Sequence, residues 1–173
     1  NVQKMILSND KKTRKEAIMK LLPYQQNDFY KILKTMAPLP VTIRLLDPPL
    51  HEFLPSQKNT ILIEKLAKEM KINSKKIINR IIDLFEINPM LGHRGCRLSI
   101  SFPEITEMQV RAILMASVKL IKQKIKPSPE IMIPLISSVN EFNHQKKIVQ
   151  QVASDIEKIH NVKIKYKIGT MIE

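Results

Sequence analysis

Apolar residues recur at helical spacing along most of this chain and change to strand-like runs at a few places. Over residues 9–36 the pattern predicts two short helices. Ile18, Leu21 and Leu22 share one face after a capping Asp10, and Phe29, Ile32, Leu33 and Met36 resume the period beyond Pro23. "PVTIRLLD", residues 40–47, reads as a strand: β-branched residues follow Pro40, and Pro48 and Pro49 stop the run. The next stretch, "PPLHEFLPS", reads as an extended or turning loop. Residues 60–72 and 74–87 read as a helical pair, and in the second Ile77, Ile78, Ile81, Ile82 and Phe85 line one face behind a capping Ser74. Lying between a strand and a glycine-flanked run, this pair reads as an insertion.

Later in the chain the periods alternate. "CRLSIS", 96–101, is expected to be a short strand. Ser101 to Glu104 has the spacing of a capping box with Pro103 in the first turn. The helix it would open extends to about Lys124, with Ile105, Met108, Ala112, Met115, Ala116 and Leu120 inward. "EIMIPLIS", 130–137, is a nearly continuous apolar run, as expected of a strand covered on both faces. Ser138 to Glu141 forms a second capping-box pattern, and its helix would bury Phe142, Val149, Val152, Ile156 and Ile159. A last strand is expected over 163–172, alternating at Ile164, Tyr166 and Ile168. From residue 94 the order strand, helix, strand, helix, strand predicts parallel α/β units with right-handed crossovers. With residues 41–47 the total is four strands, far fewer than a closed barrel holds. No internal repeat suggests a solenoid.

Composition narrows the setting. A chain of 173 residues that is 43% apolar with 3 glycines can build one sizeable core. The single cysteine excludes an internal disulfide and fits a reducing compartment. No apolar run reaches the roughly 20 residues of a membrane span, and no signal-peptide pattern opens the sequence. The expectation is a cytoplasmic protein without a membrane partner. Asn1 is not an initiator, and Glu173 directly follows a strand-like run, so both ends read as cut from something longer.

A net charge of +13 raises nucleic acid as a partner. Of the 29 basic residues 23 are Lys, scattered over every predicted helix, and aromatics are 5% with no Trp to stack on bases. These features argue against nucleic acid. They leave open a Lys-rich α/β module that binds polyanions without catalysis.

Three residues suggest more specific chemistry. Arg44 lies in an apolar run, where a charge is costly unless paired or bound to an anion. Arg94 sits between Gly92 and Gly95, and Glu173 closes an apolar strand end. Two arginines and a carboxylate suit a phosphate bridged to a divalent cation: arginine offers a planar fork and the carboxylate a hard oxygen. Blander readings stand beside this one, namely an Arg44 paired with a structural Asp, an Arg94 that merely occupies a turn, and a solvated Glu173. Asp47, His51 and Glu52 mimic a metal cluster, but Pro48 and Pro49 break the spacing and make them read as loop anchors. Cys96, beside Arg94 and Arg97, is a candidate for a lowered thiol pKa. One Cys and four His without ligand spacing argue against zinc.

The runs "VTIRLLDPPLHEFLP", "NPMLGHRGCRL", "PEIMIPLI" and "KIGTMIE" occur in that order. Together they resemble the pyruvate phosphate dikinase family, in its C-terminal domain that binds phosphoenolpyruvate and pyruvate. The resemblance covers essentially the whole chain. It implies an α/β fold, a partial (β/α)8 TIM-type barrel of about four strands in which residues 60–87 are a helical insertion. It implies interconversion of ATP, phosphate and pyruvate with AMP, diphosphate and phosphoenolpyruvate. The phosphoryl group would travel on a phosphohistidine of a separate swivelling domain and reach pyruvate as an enolate.

By the same resemblance Arg44 in "TIRLLD" and Arg94 in "GHRG" match arginines that bind the phosphoryl and carboxylate groups, and Glu173 in "GTMIE" matches a Mg2+ ligand. The implied cofactor is Mg2+. The implied partners are phosphoenolpyruvate or pyruvate, the phosphohistidine domain of the same full-length chain, and a second copy in a homodimer. The family's first substrate arginine is expected before Asn1. An Asn-Asp pair and a proton-donating Cys are expected after Glu173. Cys96 does not stand at the donor position, and residues 1–173 alone are expected to be inactive.

Overall fold

The computed structural model describes residues 2–8, 10–85, 87–88 and 90–172. In chain order they form α1 (Val2–Leu7), α2 (Lys11–Met19), α3 (Leu22–Met36), β1 (Pro40–Arg44) and a 3₁₀ turn (Leu50–Phe53). Then follow α4 (Thr60–Met70), α5 (Ser74–Asp83), α6 (Gly95–Ser101), α7 (Pro103–Lys122), β2 (Ser128–Ile133), α8 (Val139–His160) and β3 (Lys167–Thr170). The chain divides into two compact units, one of Asn1–Lys20 with Pro48–Arg94 and one of Leu21–Asp47 with Gly95–Glu173.

The second unit is the α/β part. Its sheet has the order β1-β2-β3, and both pairings are parallel. Ile43 stands opposite Ile131, and Ile131 opposite Ile168. Arg44 is level with Met132, and Ile133 with Thr170. Ile43, Ile131 and Ile133 pack with Val110, Ile113 and Leu114 of α7 and with Val149, Val152 and Ile156 of α8. Removing each such side chain from water contributes about 1.5–3 kcal/mol. Leu33 of α3 meets Ala116 and Leu120 of α7 in a smaller cluster.

The capping box predicted at Ser138 is present: Ser138 Oγ accepts from the Glu141 N–H at 3.3 Å, and Glu141 Oε2 accepts from the Ser138 N–H at 3.1 Å. Asn161, with φ 50°, ends α8.

Several expectations are corrected here. Residues 96–101 are helix, not strand. Cys96, Leu98 and Ile100 alternate like a strand, yet the buried set is Gly95, Cys96, Leu98 and Ser99, a helical spacing, while Ile100 is exposed. The sheet therefore has three strands rather than four. Ser101 does not cap α7: it ends α6, where its hydroxyl donates to Arg97 O at 3.2 Å, and Phe102 takes the cap position without a side-chain bond. β2 stops at Ile133, because Pro134 has no N–H for the ladder and Leu135 has φ 57°. Within β2 burial alternates, with Pro129, Ile131 and Ile133 buried and Glu130 and Met132 half-buried. Ile159 is exposed on α8.

The first unit is helical. Leu7 packs with Ile63, Leu66 and Ala67 of α4 and with Ile77 and Ile81 of α5. Asp10 caps α2 as predicted, accepting from the Thr13 N–H at 2.8 Å. α1 was not expected from the pattern. Asn73, not Ser74, caps α5, accepting from the Lys75 N–H at 2.8 Å. Ile82 and Phe85 are exposed, since α5 ends at Asp83 and its inward stripe is narrower than the run of isoleucines suggests. Among the described residues no helix is long and apolar enough to cross a membrane.

Candidate functional site

Working residues of parallel α/β folds gather where strands end at their C-terminal side. In the sheet unit three loops leave that side. β1 ends at Arg44, whose side chain is 49% exposed and whose Nη1 lies 3.5 Å from Asp47 Oδ2. The arginine is thus not buried in the strand as its apolar neighbours suggested. It stands at the rim, loosely held by a carboxylate one turn on, and its fork remains open to solvent on one side.

The backbone beyond Arg44 is tightly fixed. The Leu45 N–H donates to Met132 O at 3.0 Å, continuing the ladder. The Leu46 N–H is taken instead by Gln109 Oε1 of α7 at 2.7 Å. Asp47 O then accepts from the Gly95 N–H at 3.1 Å, and the Cys96 N–H donates to Pro134 O at 3.1 Å. The start of α6 is therefore tied to the loops that leave both β1 and β2. Gly95 has φ +55°, a conformation open to glycine and strained for other residues.

Arg94 is the residue immediately before this glycine and belongs to the helical unit. It is half-buried in a turn, its N–H donating to Gly92 O at 3.1 Å and its Nη1 3.8 Å from Met90 Sδ. Glu173, the third predicted site residue, lies outside the described residues.

A pocket of about 540 Å3 opens beyond β2 and β3, between Ser137, Ser138 and Phe142 at the start of α8 and Thr170 and Met171 at the end of β3. The Ser137 N–H donates to Glu141 Oε2 at 2.8 Å, as does that of Ser138. Both amides are committed to the protein's own carboxylate, so they do not form an anion cradle. Thr170 Oγ1 donates to Ile133 O at 2.8 Å. Glu173 follows Thr170 by three residues in sequence.

Cys96 does not behave as its arginine neighbours suggested. The thiol is fully buried, and its pKa is pushed up to about 11, chiefly by burial and further by the Glu141 charge, with Arg97 offsetting part of the rise. It is a structural cysteine, not an activated one. Among the described residues no three His, Cys, Asp or Glu stand together to hold a metal ion. His51 and Glu52 lie in the 3₁₀ turn, and Asp47 follows β1.

Two supporting residues escaped the sequence reading. Gln109 is 6% exposed and holds Leu46, and Gln145 is fully buried and accepts from Thr106 Oγ1 at 2.9 Å. The available signal was a polar residue on an otherwise apolar helix face.

Residues 2–173 match the family described as PEP-utilising enzyme, PEP-binding domain. Over 172 residues the chain is 48% identical to pyruvate, phosphate dikinase, chloroplastic, of Flaveria trinervia, covering 99% of this chain and 18% of that protein. It is also 48% identical to pyruvate, phosphate dikinase 1, chloroplastic, of Arabidopsis thaliana over 174 residues, 99% of this chain and 18% of that protein. The pyruvate, phosphate dikinase of Giardia intestinalis is 48% identical over 172 residues, 99% of this chain and 19% of that protein. The chain belongs to the family of PEP-binding domains of PEP-utilising enzymes. It spans under one-fifth of the length of the dikinases it matches.

Proposed function

We propose that these residues are the central part of the phosphoenolpyruvate/pyruvate-binding domain of a pyruvate, phosphate dikinase. The observation that carries the reading is 48% identity over 99% of the chain, shared with dikinases of plants and of a protist. The reaction would interconvert ATP, phosphate and pyruvate with AMP, diphosphate and phosphoenolpyruvate, by way of a phosphohistidine on another domain of the same chain. The three parallel strands would be part of a (β/α)8 barrel, with residues 60–87 as a helical insertion. The full-length protein would be a cytoplasmic homodimer with an ATP-binding domain elsewhere.

In this reading Arg44 and Arg94 bind the substrate's phosphoryl and carboxylate groups. The half-exposed Arg44 fork supports it, since a planar guanidinium free on one side suits a bidentate oxyanion. Fixed positive charge beside a transferring phosphoryl group lowers the barrier without reorganisation at the moment of reaction. Glu173 would be a ligand of Mg2+, which when bound stabilises negative charge on an enolate oxygen. Among the described residues no three His, Cys, Asp or Glu stand together to hold the ion.

The test is steady-state kinetics of the full-length dikinase with Arg44→Ala and Arg94→Ala. Loss of pyruvate phosphorylation with the ATP-dependent phosphorylation of the carrier histidine intact would support the reading. Unchanged kinetics in both variants would overturn it.

A further inference from the structure

We propose that Gln109 is a positioning residue for the substrate site, acting through the loop that carries Arg44. The proposal rests on the function just proposed and names a part of its machinery.

The β1 exit is a short stretch with heavy demands on it. Arg44 is the last strand residue, and Asp47, three residues on, contacts its guanidinium at 3.5 Å. Asp47 also carries the carbonyl that fixes Gly95. Between them the chain leaves the ladder. Leu45 still bonds to β2, but Leu46 has passed beyond the register that pairs β1 with β2. Its N–H would need another acceptor, and Gln109 Oε1 supplies one at 2.7 Å. Leu46 is half-buried, and an N–H turned from water without a partner is costly, so this acceptor steadies the loop conformation.

Gln109 is otherwise an odd choice for its place. It is 6% exposed on the inward face of α7, among Ile105, Met108, Ala112 and Ile113, where an apolar side chain would pack well. Two other buried polar residues of α7 serve the helices themselves: Thr106 bonds to Gln145 of α8, and Ser117 donates to Ile113 O one turn back. Gln109 reaches out of the helix layer to the strand end. α7 is a 20-residue helix packed against both α3 and α8, so its side chain gives the loop a rigid anchor. Placement errors of about 1 Å at a substrate arginine cost on the order of a hundredfold in rate.

The experiment uses full-length dikinase with Gln109→Met, which keeps length and loses the acceptor, and Gln109→Glu, which offers an oxygen to Leu46 in either protonation state. Both are made with and without Arg44→Ala. The expected result for Gln109→Met is a tenfold to hundredfold fall in kcat/KM for phosphoenolpyruvate. Carrier phosphorylation from ATP should be unchanged, and Gln109→Glu should recover most of the loss. In the Arg44→Ala background Gln109→Met should add less than about twofold, because the two act through one group. Full additivity with Arg44→Ala would overturn the proposal and leave Gln109 a packing residue. So would equal losses in the Met and Glu variants. If Arg44→Ala itself leaves phosphoenolpyruvate kinetics untouched, the reading of the site fails, a result separable from failure at Gln109 alone.

Discussion

The N–H of Gly95 donates to the carbonyl of Asp47 at 3.1 Å, and a Cβ at position 95 would stand 3.0 Å from the Leu135 Cβ and 3.2 Å from Asp47 Oδ1. This hydrogen bond joins the residue after Arg94 to the backbone of Asp47, whose carboxylate holds Arg44. It explains why a glycine is needed there on two counts, the positive φ and the lack of room.

Gly95→Ala is therefore expected to destabilise the protein by about 1–3 kcal/mol. Urea denaturation followed by circular dichroism measures it. A variant as stable as the parent would mean that Leu135 and the backbone yield more easily than their close approach implies.

The two arginines should respond differently to conservative change. Arg44→Ala and Arg94→Ala are each expected to lower kcat/KM for phosphoenolpyruvate by about a hundredfold to a thousandfold in the full-length enzyme. Arg44→Lys should keep part of the affinity but lose the fork, so it should fall between parent and alanine variant. Titration against sulfate as competitor separates this site from the scattered surface lysines. Their contribution to anion binding should collapse with added salt, whereas the arginine-dependent part should persist.

One thiol and one carboxyl group set opposite pH limits. The folded Cys96 thiol titrates near 11, above its ordinary value of 9.0. Stability from keeping it neutral is full below pH 9 and declines as pH rises toward 11, by about 2–3 kcal/mol in all. Glu157 is held below the usual carboxylate range, first by the Ile164 N–H at 2.8 Å and then by Lys163 at 3.0 Å. Its contribution is present above that range and is lost as pH falls through the lowered value. Urea midpoints across pH should drop at both ends. Cys96→Ser should flatten the alkaline limb and Glu157→Gln the acid limb. At pH 8 the native Cys96 should resist thiol reagents until urea exposes it.

Residues 1–173 expressed alone are expected to show no dikinase turnover and only weak affinity for phosphoenolpyruvate. They correspond to under one-fifth of the matched dikinases, and their described part groups no metal ligands. Calorimetric titration with phosphoenolpyruvate and Mg2+, beside an assay of phosphoenolpyruvate formation, checks both statements. Tight binding abolished by Arg94→Ala would show that this segment preorganises the site without the rest of the protein.

The elements legible in the sequence were those whose local signals agree. α8 has a capping box, a long amphipathic face and a closing Asn161, and it forms where expected. The break before α3 was misplaced: α2 ends at Met19 and α3 already starts at Leu22, with Pro23 in its first turn where no N–H is missed, rather than after an interruption at Pro23. Residues 95–101 misled because a seven-residue helix offers two turns at most, too few to tell a helical period from alternation. The same error displaced the expected cap from Phe102 to Ser101. At α5, Asn73 and Ser74 are both good caps, and only the backbone, extended at Asn73 with ψ 136°, distinguishes them. For the candidate site, an arginine in an apolar run singled out Arg44 and glycine flanks singled out Arg94, and their proposed role awaits the kinetic test. Gln109 was hidden because its partner is a backbone amide 63 positions away, which no local pattern records.

The pairing that carries Arg44 also sets a timetable for folding. Thr42 and Glu130, hydrogen-bonded across β1 and β2, are 88 residues apart, whereas Glu130 and Lys167, bonded across β2 and β3, are 37 apart. Closing the longer loop costs about 0.8 kcal/mol more in chain entropy, and long-range pairings form late. The β2–α8–β3 segment should then nucleate, and β1 should dock afterwards. Val152→Ala is expected to slow refolding in stopped-flow measurements, while Ile43→Val mainly speeds unfolding. During synthesis at about 5–20 residues per second, the apolar β1 waits roughly 4–20 seconds for its partner strand to emerge. In that interval the segment bearing Arg44 is a bare strand edge, and the nascent chain is most in need of a chaperone just there.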